Sequence, residues 1–255
     1  MNTPKTEENL IQRRESYIPY WPTEEFIVTI LKNRIENLIE KHFFKSNQEV
    51  YTLDVGCGEQ PFRKKIELLG HTYKSFDITQ NLSQNVDFIG AIDQDLPEEL
   101  FENPPFDFII CTEVLEHVAN WEKTFVNLST LLAPEGIVII TCPHFLGLHE
   151  EPHDYWRPTL YAIEYFANKN NLIAIHSERA GDTWDVLGTL LASCWTFPAS
   201  SNLLDRIVTK FVSLARESMF NLIKSRAIQK RTKLMGALYL SNVSVLQKNN
   251  QSLIC

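Results

Sequence analysis

The chain has 255 residues, of which 44% are hydrophobic and 22% charged, and its formal net charge is −8. That size and composition suit one large globular domain whose core needs neither disulfides nor a structural metal, and the acidic balance argues against a general nucleic-acid binder. The five cysteines are scattered and form no C-x-x-C pair, which reads as reduced thiols in a cytoplasmic protein and excludes a disulfide framework or a zinc ribbon.

The polar start "MNTPKTEENL" has no apolar core of the kind a signal peptide carries. The first clear element is "PTEEFIVTILKNRIENLIEKHF". Pro22 and Thr23 with two following glutamates suit a helix start, and Phe26, Ile27, Ile30, Leu31, Ile35, Leu38 and Ile39 fall on one face at helical spacing. Short apolar strands then alternate with helical stretches. "VYTLDV", "TYKSFDI" and "VDFIG" read as strands, and "FDFIICT" and "GIVIIT" as strands buried on both faces of a parallel sheet. Between them, "PFRKKIELLG" and "VLEHVANWEKTFVNLSTLLAPEG" have helical period, with Gly70 and Gly136 just past the helix ends. This alternation predicts a doubly wound α/β sheet.

The pattern pauses at "HEEPHDYWRPT" and resumes with the helix "TLYAIEYFANKNN" and the strand "LIAIHSE". Residues 184–233 are helical and partly apolar, and "GALYLSNVSVLQK" is the last strand, so the long segment reads as an insertion before it. Val186 to Leu204 carries no charge, but its continuous apolar part is shorter than the about 20 residues a bilayer requires. Leu203 to Ile223 is amphipathic, and residues 203–233 carry eight Lys or Arg against Asp205 and Glu217. That cluster suits either a helix packed on the domain with a solvated basic face or peripheral contact with anionic lipid.

The loop "LDVGCGEQPF" joins the first strand to the next helix. Gly56 and Gly58 allow a tight turn and close approach of a ligand to the backbone, at the expected binding edge of an open α/β sheet. Asp77 follows Gly58 by nineteen residues, at the end of the second strand, where a carboxylate can accept both ribose hydroxyls of an adenosine. The third position of the dinucleotide fingerprint is Pro61, and Asp54 puts a negative charge beside the loop, so an NAD-dependent oxidoreductase is disfavoured and a cationic ligand is favoured.

"LDVGCG", "FDI", "FDFIICTEVLEHV" and "LLAPEGIVIITCP", in this order, resemble the motif series of class I S-adenosylmethionine-dependent methyltransferases. The resemblance is strong over residues 50 to 145. It implies a Rossmann-like α/β fold with a mostly parallel seven-stranded sheet, an N-terminal helical cap at 1–45 and a methyltransferase domain at 46–255. Asp54, Gly56, Cys57 and Gly58 would line the methionine part of S-adenosylmethionine, Asp77 the ribose and Ile78 the adenine. Asp93 would meet the adenine amino group, and Thr112, Glu113 and Val114 would border the sulfonium. Gln60 and Glu135 depart from the family, standing where glycine is usual.

"HEEPHDYWRPT" also matches H-E-x-x-H, the pattern of a zinc-binding helix. Pro152 inside that pattern, and its position after a strand, make it a loop, so no metal is expected. In this fold the loop faces the methyl donor. "HDYWRPT", and "YIPYWPTEEF" as a lid near the N-terminus, resemble a bacterial branch of the family. A hydroxyl acceptor benefits from a base near neutral pKa. His153 oriented by Asp154 is the first candidate, with His144 and His149 as rivals, and Tyr155, Trp156 and Arg157 would shape the acceptor pocket. The alternative for the loop is structural, with Asp154 and Arg157 as an ion pair and Trp156 packed in the core. The expected activity is O-methylation of a small-molecule or glycan hydroxyl, with a non-catalytic cofactor-binding module as the other reading. The sequence leaves the oligomeric state open.

Overall fold

The computed structural model describes residues 17–19, 22–43, 49–194, 202–232, 234 and 236–249. Tyr20 and Trp21 of the lid motif lie outside the described residues, as do 1–16 and 44–45 of the expected cap. Seven strands, β1 (Tyr51–Val55), β2 (Thr72–Asp77), β3 (Phe88–Ile89), β4 (Phe106–Thr112), β5 (Leu132–Pro143), β6 (Leu172–Ala180) and β7 (Ser241–Lys248), form one sheet. Their order is β3-β2-β1-β4-β5-β7-β6. The strands β1 to β5 pair in parallel, and β7 runs antiparallel to both β5 and β6.

Two helical layers cover the sheet because the buried strands alternate apolar residues between its faces. Leu53, Val55, Ile109, Cys111, Val138 and Ile140 meet α3 (Trp121–Leu131) and α4 (Leu160–Lys169) in one core. Phe108, Ile110, Ile139, Val243 and Val245 meet α1 (Ile27–His42), α2 (Arg63–Leu68) and α5 (Thr183–Ser193) in the other. Leu31, Ile35 and Ile39 of α1 are at most 2% exposed, and burial of each such side chain contributes about 1.5–3 kcal/mol. The described part of the expected separate cap is therefore a layer of the sheet's own core. The stretch Leu160–Lys169 forms the helix its period predicts.

Three boundaries differ from the expectation. The single long helix expected from Val114 to Gly136 is broken. A short 3-10 turn at Leu115–His117 precedes α3, whose start is capped by the Asn120 side chain, which accepts the Lys123 amide at 3.1 Å. At the other end Leu132 already pairs with Phe106 in the sheet, so Gly136 is no helix cap. It lies inside β5, where a Cβ would come within 2.9 Å of the Ala133 carbonyl. Gly70 does end a helix: at φ +85°, its N–H donates to Glu67 O at 2.9 Å. The strand expected at "VDFIG" is reduced to Phe88–Ile89, and β7 starts at Ser241.

Between β6 and β7 stand α5, α6 (Leu203–Lys224) and α7 (Arg226–Arg231). Ala180 ends β6 opposite Ser241, the first residue of β7, and Ser241 also pairs with Pro143 at the end of β5. The helical segment thus leaves and re-enters the sheet at the edge where the parallel strands end. It is tied to the start of α1. The Phe220 ring lies 5.7 Å from Phe26 in an edge-to-face contact, and Lys224 pairs with Glu25.

Gly188 in α5 is packed against Phe26, whose ring would lie 2.3 Å from an added Cβ. Glycine to alanine in an open helix stabilises by about 1 kcal/mol. Gly188→Ala is expected to reverse that sign and destabilise by about 1–3 kcal/mol through overpacking, read as a lower midpoint in urea denaturation. A raised midpoint would contradict the packing.

Candidate functional site

The loop after β1 is held by backbone and carboxylate contacts from β2. Gly56 N donates to Phe76 O at 2.8 Å, and Gly58 N donates to Asp77 Oδ2 at 2.9 Å. The second oxygen, Asp77 Oδ1, accepts from Ile78 N at 2.7 Å. Gly56 and Gly58 are in left-handed backbone at φ +67° and +50°. A side chain at Gly56 would also strike Val114, 2.3 Å from its Cβ, so glycine is required there for two reasons. Cys57 is buried with its Sγ 3.9 Å from Asp77 Oδ2. Cys111 and Cys142 are buried, and burial raises both thiols, which keeps them protonated and suits packing.

Beneath the loop, Asp54 is 3% exposed and its Oδ2 accepts from Tyr73 Oη at 2.7 Å. Burial pushes this carboxyl up to about 7; the Tyr73 hydrogen bond opposes the shift and the neighbouring Asp77 charge adds to it. Asp93 accepts the Asn120 amide at 3.3 Å, at the start of α3. Thr112 ends β4 and accepts from Tyr17 Oη at 3.1 Å, while the Tyr17 ring lies 5.1 Å from Phe62. The described part of the lid motif thus reaches the ends of β1 and β4.

The two family departures occupy the backbone that glycine would. Gln60 sits at φ +58° and Glu135 at +63°, a region that costs non-glycine residues about 1–2 kcal/mol. At Gln60 the buried side chain gives something back. Its Nε2 donates to Ser75 Oγ at 3.2 Å and to Asn85 O at 3.0 Å. Asn81 Nδ2 donates to Gly58 O at 3.1 Å and to Asn85 Oδ1 at 2.7 Å. A polar cluster drawn from "QNLSQN" therefore braces the loop from behind. None of its members was singled out from the sequence, where the only signal is a run of amides between two strands.

The loop after β5, expected to face the acceptor, is fastened to the turn after β4. Tyr155 N donates to Glu116 O at 2.7 Å, and Trp156 Nε1 to Val118 O at 2.8 Å. His117 Nδ1 donates to His153 O at 2.8 Å. His149 lies in irregular backbone and His153 in a bend, as Pro152 predicts, and no helix joins them. Asp154 does not orient His153. Its Oδ2 accepts the His149 amide at 3.0 Å and lies 3.4 Å from His149 Nδ1, while Arg157 grips both its oxygens at 2.6 Å. Burial works to raise Asp154, but Arg157 and the His149 amide outweigh it and the net shift is downward.

Arg157 also donates to the Leu146 and Gly147 carbonyls, so it is a strut of the loop. Trp156 is 45% exposed, its ring 5.9 Å from Trp121, and is not packed in the core. His153 is exposed and bonds the Tyr155 hydroxyl at 3.0 Å. His144 is stacked on Tyr239 at 4.2 Å, with Nδ1 donating to Pro158 O at 2.8 Å.

Glu116, absent from the sequence-based candidates, stands at the centre. It is fully buried, and neither carboxylate oxygen has a hydrogen-bond partner among the described residues. Burial, then the Glu113 charge, raises it well above the usual carboxylate range. Its Oε1 lies 3.7 Å from His117 Nε2 and 3.9 Å from His149 Nε2. The three residues offer ligand atoms within 4.8 Å of one another, a spacing that can hold a cation where the sequence indicated no metal. The sequence reads "LEHV" as part of a helix, whereas the structure places it in a 3-10 turn with the Glu116 and His117 side chains beside each other.

A methyltransferase-domain family model matches residues 28–185, more than half of the chain. The chain belongs to the class I S-adenosylmethionine-dependent methyltransferases. A ubiquinone biosynthesis O-methyltransferase of Rickettsia prowazekii is 33% identical over 119 residues, which are 42% of this chain and 46% of that protein. The chain thus spans about half the length of the curated relatives it matches. Among solved structures, an S-adenosylmethionine-dependent methyltransferase of Archaeoglobus fulgidus has a TM-score of 0.51 at 13% identity, covering 85% of this chain and 94% of that one. Phosphoethanolamine N-methyltransferase 2 of Haemonchus contortus, bound to S-adenosylhomocysteine, has a TM-score of 0.52 at 18% identity, covering 85% and 53%. At these identities the two structures show the shared fold.

The carboxyl edge of the sheet carries groups that S-adenosylmethionine, the cofactor of the family, would require. Asp77 ends β2, where a carboxylate can accept ribose hydroxyls. Ile78 is 55% exposed, an apolar surface for an adenine plane. A Cβ at Gly58 would meet nothing within 4 Å, so the backbone there faces open space. Asp54 and Asp77 together provide negative charge for a cationic ligand.

The Asp54 carboxyl, normally near 3.8, is raised to about 7 in the fold, so the folded state binds the extra proton between those values. Its cost to stability is absent below about pH 4, grows as pH rises, and is complete above about 7, with roughly 4 kcal/mol as an upper figure. Asp54→Asn keeps an acceptor for Tyr73 and removes the charge. Its melting temperature is expected to pull ahead of the native chain between pH 4 and 8, while its affinity for S-adenosylmethionine falls. Parallel melting curves across that range would contradict the assignment.

Proposed function

We propose that this methyltransferase acts on a hydroxyl of a small-molecule or glycan acceptor, and that His149 takes the hydroxyl proton. One observation carries the reading: a half-buried imidazole between two acids, on the loop that packs against the turn after β4. His149 Nδ1 donates to Gly147 O at 3.2 Å, which fixes the tautomer and leaves Nε2 as the basic nitrogen. Burial lowers its pKa, with the Gly147 hydrogen bond opposing, so the imidazole is neutral at physiological pH. Asp154 beside Nδ1 stabilises the imidazolium that forms on proton uptake, as an orienting carboxylate does in other acid–base sites.

The donor supplies an already activated methyl carbon, so the chain's own task is alignment, exclusion of water and removal of one proton. Val114 packs on Gly56 beside the sulfonium end expected of the site, and Tyr17 closes over Thr112. The rickettsial relatives are O-methyltransferases, which supports hydroxyl chemistry.

An acceptor screen read by mass spectrometry for the gain of one methyl group identifies the substrate. On that acceptor, His149→Ala is expected to lower kcat by about 10²–10⁴, the usual worth of a general base. His153→Ala and His144→Ala are expected to keep most of the rate. Because the His149 pKa lies below the ordinary 6.5, the rate is expected to rise with pH and flatten before neutrality. Loss of turnover in His153→Ala with His149→Ala intact would overturn the assignment, and a product methylated on nitrogen or carbon would overturn the hydroxyl.

A further inference from the structure

The helix α6 is 22 residues long and carries an apolar face that stands exposed among the described residues. Leu203, Leu204, Ile207, Val208, Phe211 and Leu214 are 56–72% exposed. At 100° per residue they span about 140° of the helix surface, a continuous stripe. The opposite side is the one that packs on the protein. Ile223 is 5% exposed, Phe220 meets Phe26, and Arg216 donates to Leu191 O at 3.3 Å. The stripe is therefore not the core face of a misjudged helix. It continues into an apolar groove of about 400 Å³ against α5, lined by Leu191, Phe211, Val212 and Met219. Among the described residues no helix is long and apolar enough to cross a membrane.

Charge decides what this face fits. Arg206 and Lys210 stand together on one flank of the stripe beside Glu217, Lys224 farther along that flank is paired with Glu25, and α7 adds Lys230 and Arg231. A chain of net charge −8 thus places cations beside a continuous exposed apolar stripe. A second copy would set these cations against their like. An anionic bilayer surface satisfies both features, taking the stripe into the acyl boundary and the cations among the headgroups. We propose that α6 lies in the surface of an anionic membrane. The segment joins β6 and β7 at the carboxyl edge, so membrane contact would be made on the side of the molecule that carries the site.

Sedimentation of the full chain with vesicles tests this. Vesicles of phosphatidylcholine with one-quarter phosphatidylglycerol are expected to carry the protein down at low salt, and pure phosphatidylcholine is not. Binding is expected to fall steeply at 0.5 M NaCl, where charges are screened within about 4 Å. Arg206→Gln with Lys210→Gln should weaken partitioning about fivefold per cation removed. Ile207→Ser with Val208→Ser and Leu214→Ser should abolish it while the far-UV circular dichroism stays that of the native chain, because these side chains are exposed and line no groove. Absence of binding to the anionic vesicles at low salt would overturn the proposal. So would undiminished binding by the serine variant, or a concentration-dependent dimer that the serine variant dissociates in place of vesicle binding.

Discussion

The Asp77 carboxylate holds the functional edge of this molecule in register. It ends β2 and accepts two backbone amides, one from its own neighbour Ile78 and one from Gly58 across the loop after β1. Hydrogen bonds to an ionised acceptor are roughly twice as strong as neutral ones. Here they fix a glycine loop that would otherwise have maximal backbone freedom. With that loop in place, Gly56 can accept the Val114 side chain at its surface, and the turn after β4 is set. On that turn the loop after β5 is hung, through the Glu116 and Val118 carbonyls. The site is therefore a chain of dependencies running along the carboxyl edge from β2 to β5.

Burial of acids is the recurring cost along that edge. Asp54, Asp77 and Glu116 are all buried, and the Glu116 carboxylate has no hydrogen-bond partner among the described residues. Two of them are raised towards the neutral form. Such groups weaken the fold and are retained where charge is wanted by a ligand or a proton carrier. Gln60 illustrates a milder version. Its left-handed backbone is unfavourable, and its amide network supplies hydrogen bonds a glycine would lack.

The sheet was readable from the sequence because buried parallel strands are apolar runs, and "FDFIICT" and "GIVIIT" could hardly be anything else. The tight loop after β1 was readable because Gly56 and Gly58 take left-handed backbone and Asp77 accepts an amide across it. The acceptor side was less so. Asp154 turned out to serve His149 and Arg157 because a loop's hydrogen bonds follow its turns, which periodicity does not report. Glu116 was hidden inside a stretch with helical period. The break in that stretch depends on Asn120 capping a new helix start and on the Thr141 carbonyl drawing the Glu113 amide to the sheet at 3.0 Å. The basic, apolar character of α6 was visible in sequence, but only the packing shows which face is left uncovered.

Calorimetric titration with S-adenosylmethionine, on the native chain and on Asp77→Ala, tests the central claim most directly. The account predicts one site per chain in the native protein. In the variant, with its fold verified by circular dichroism, binding should be lost or weakened at least a hundredfold, since both the loop register and the ribose acceptor go with that carboxylate. No binding by the native chain, or equal binding by Asp77→Ala, would contradict it.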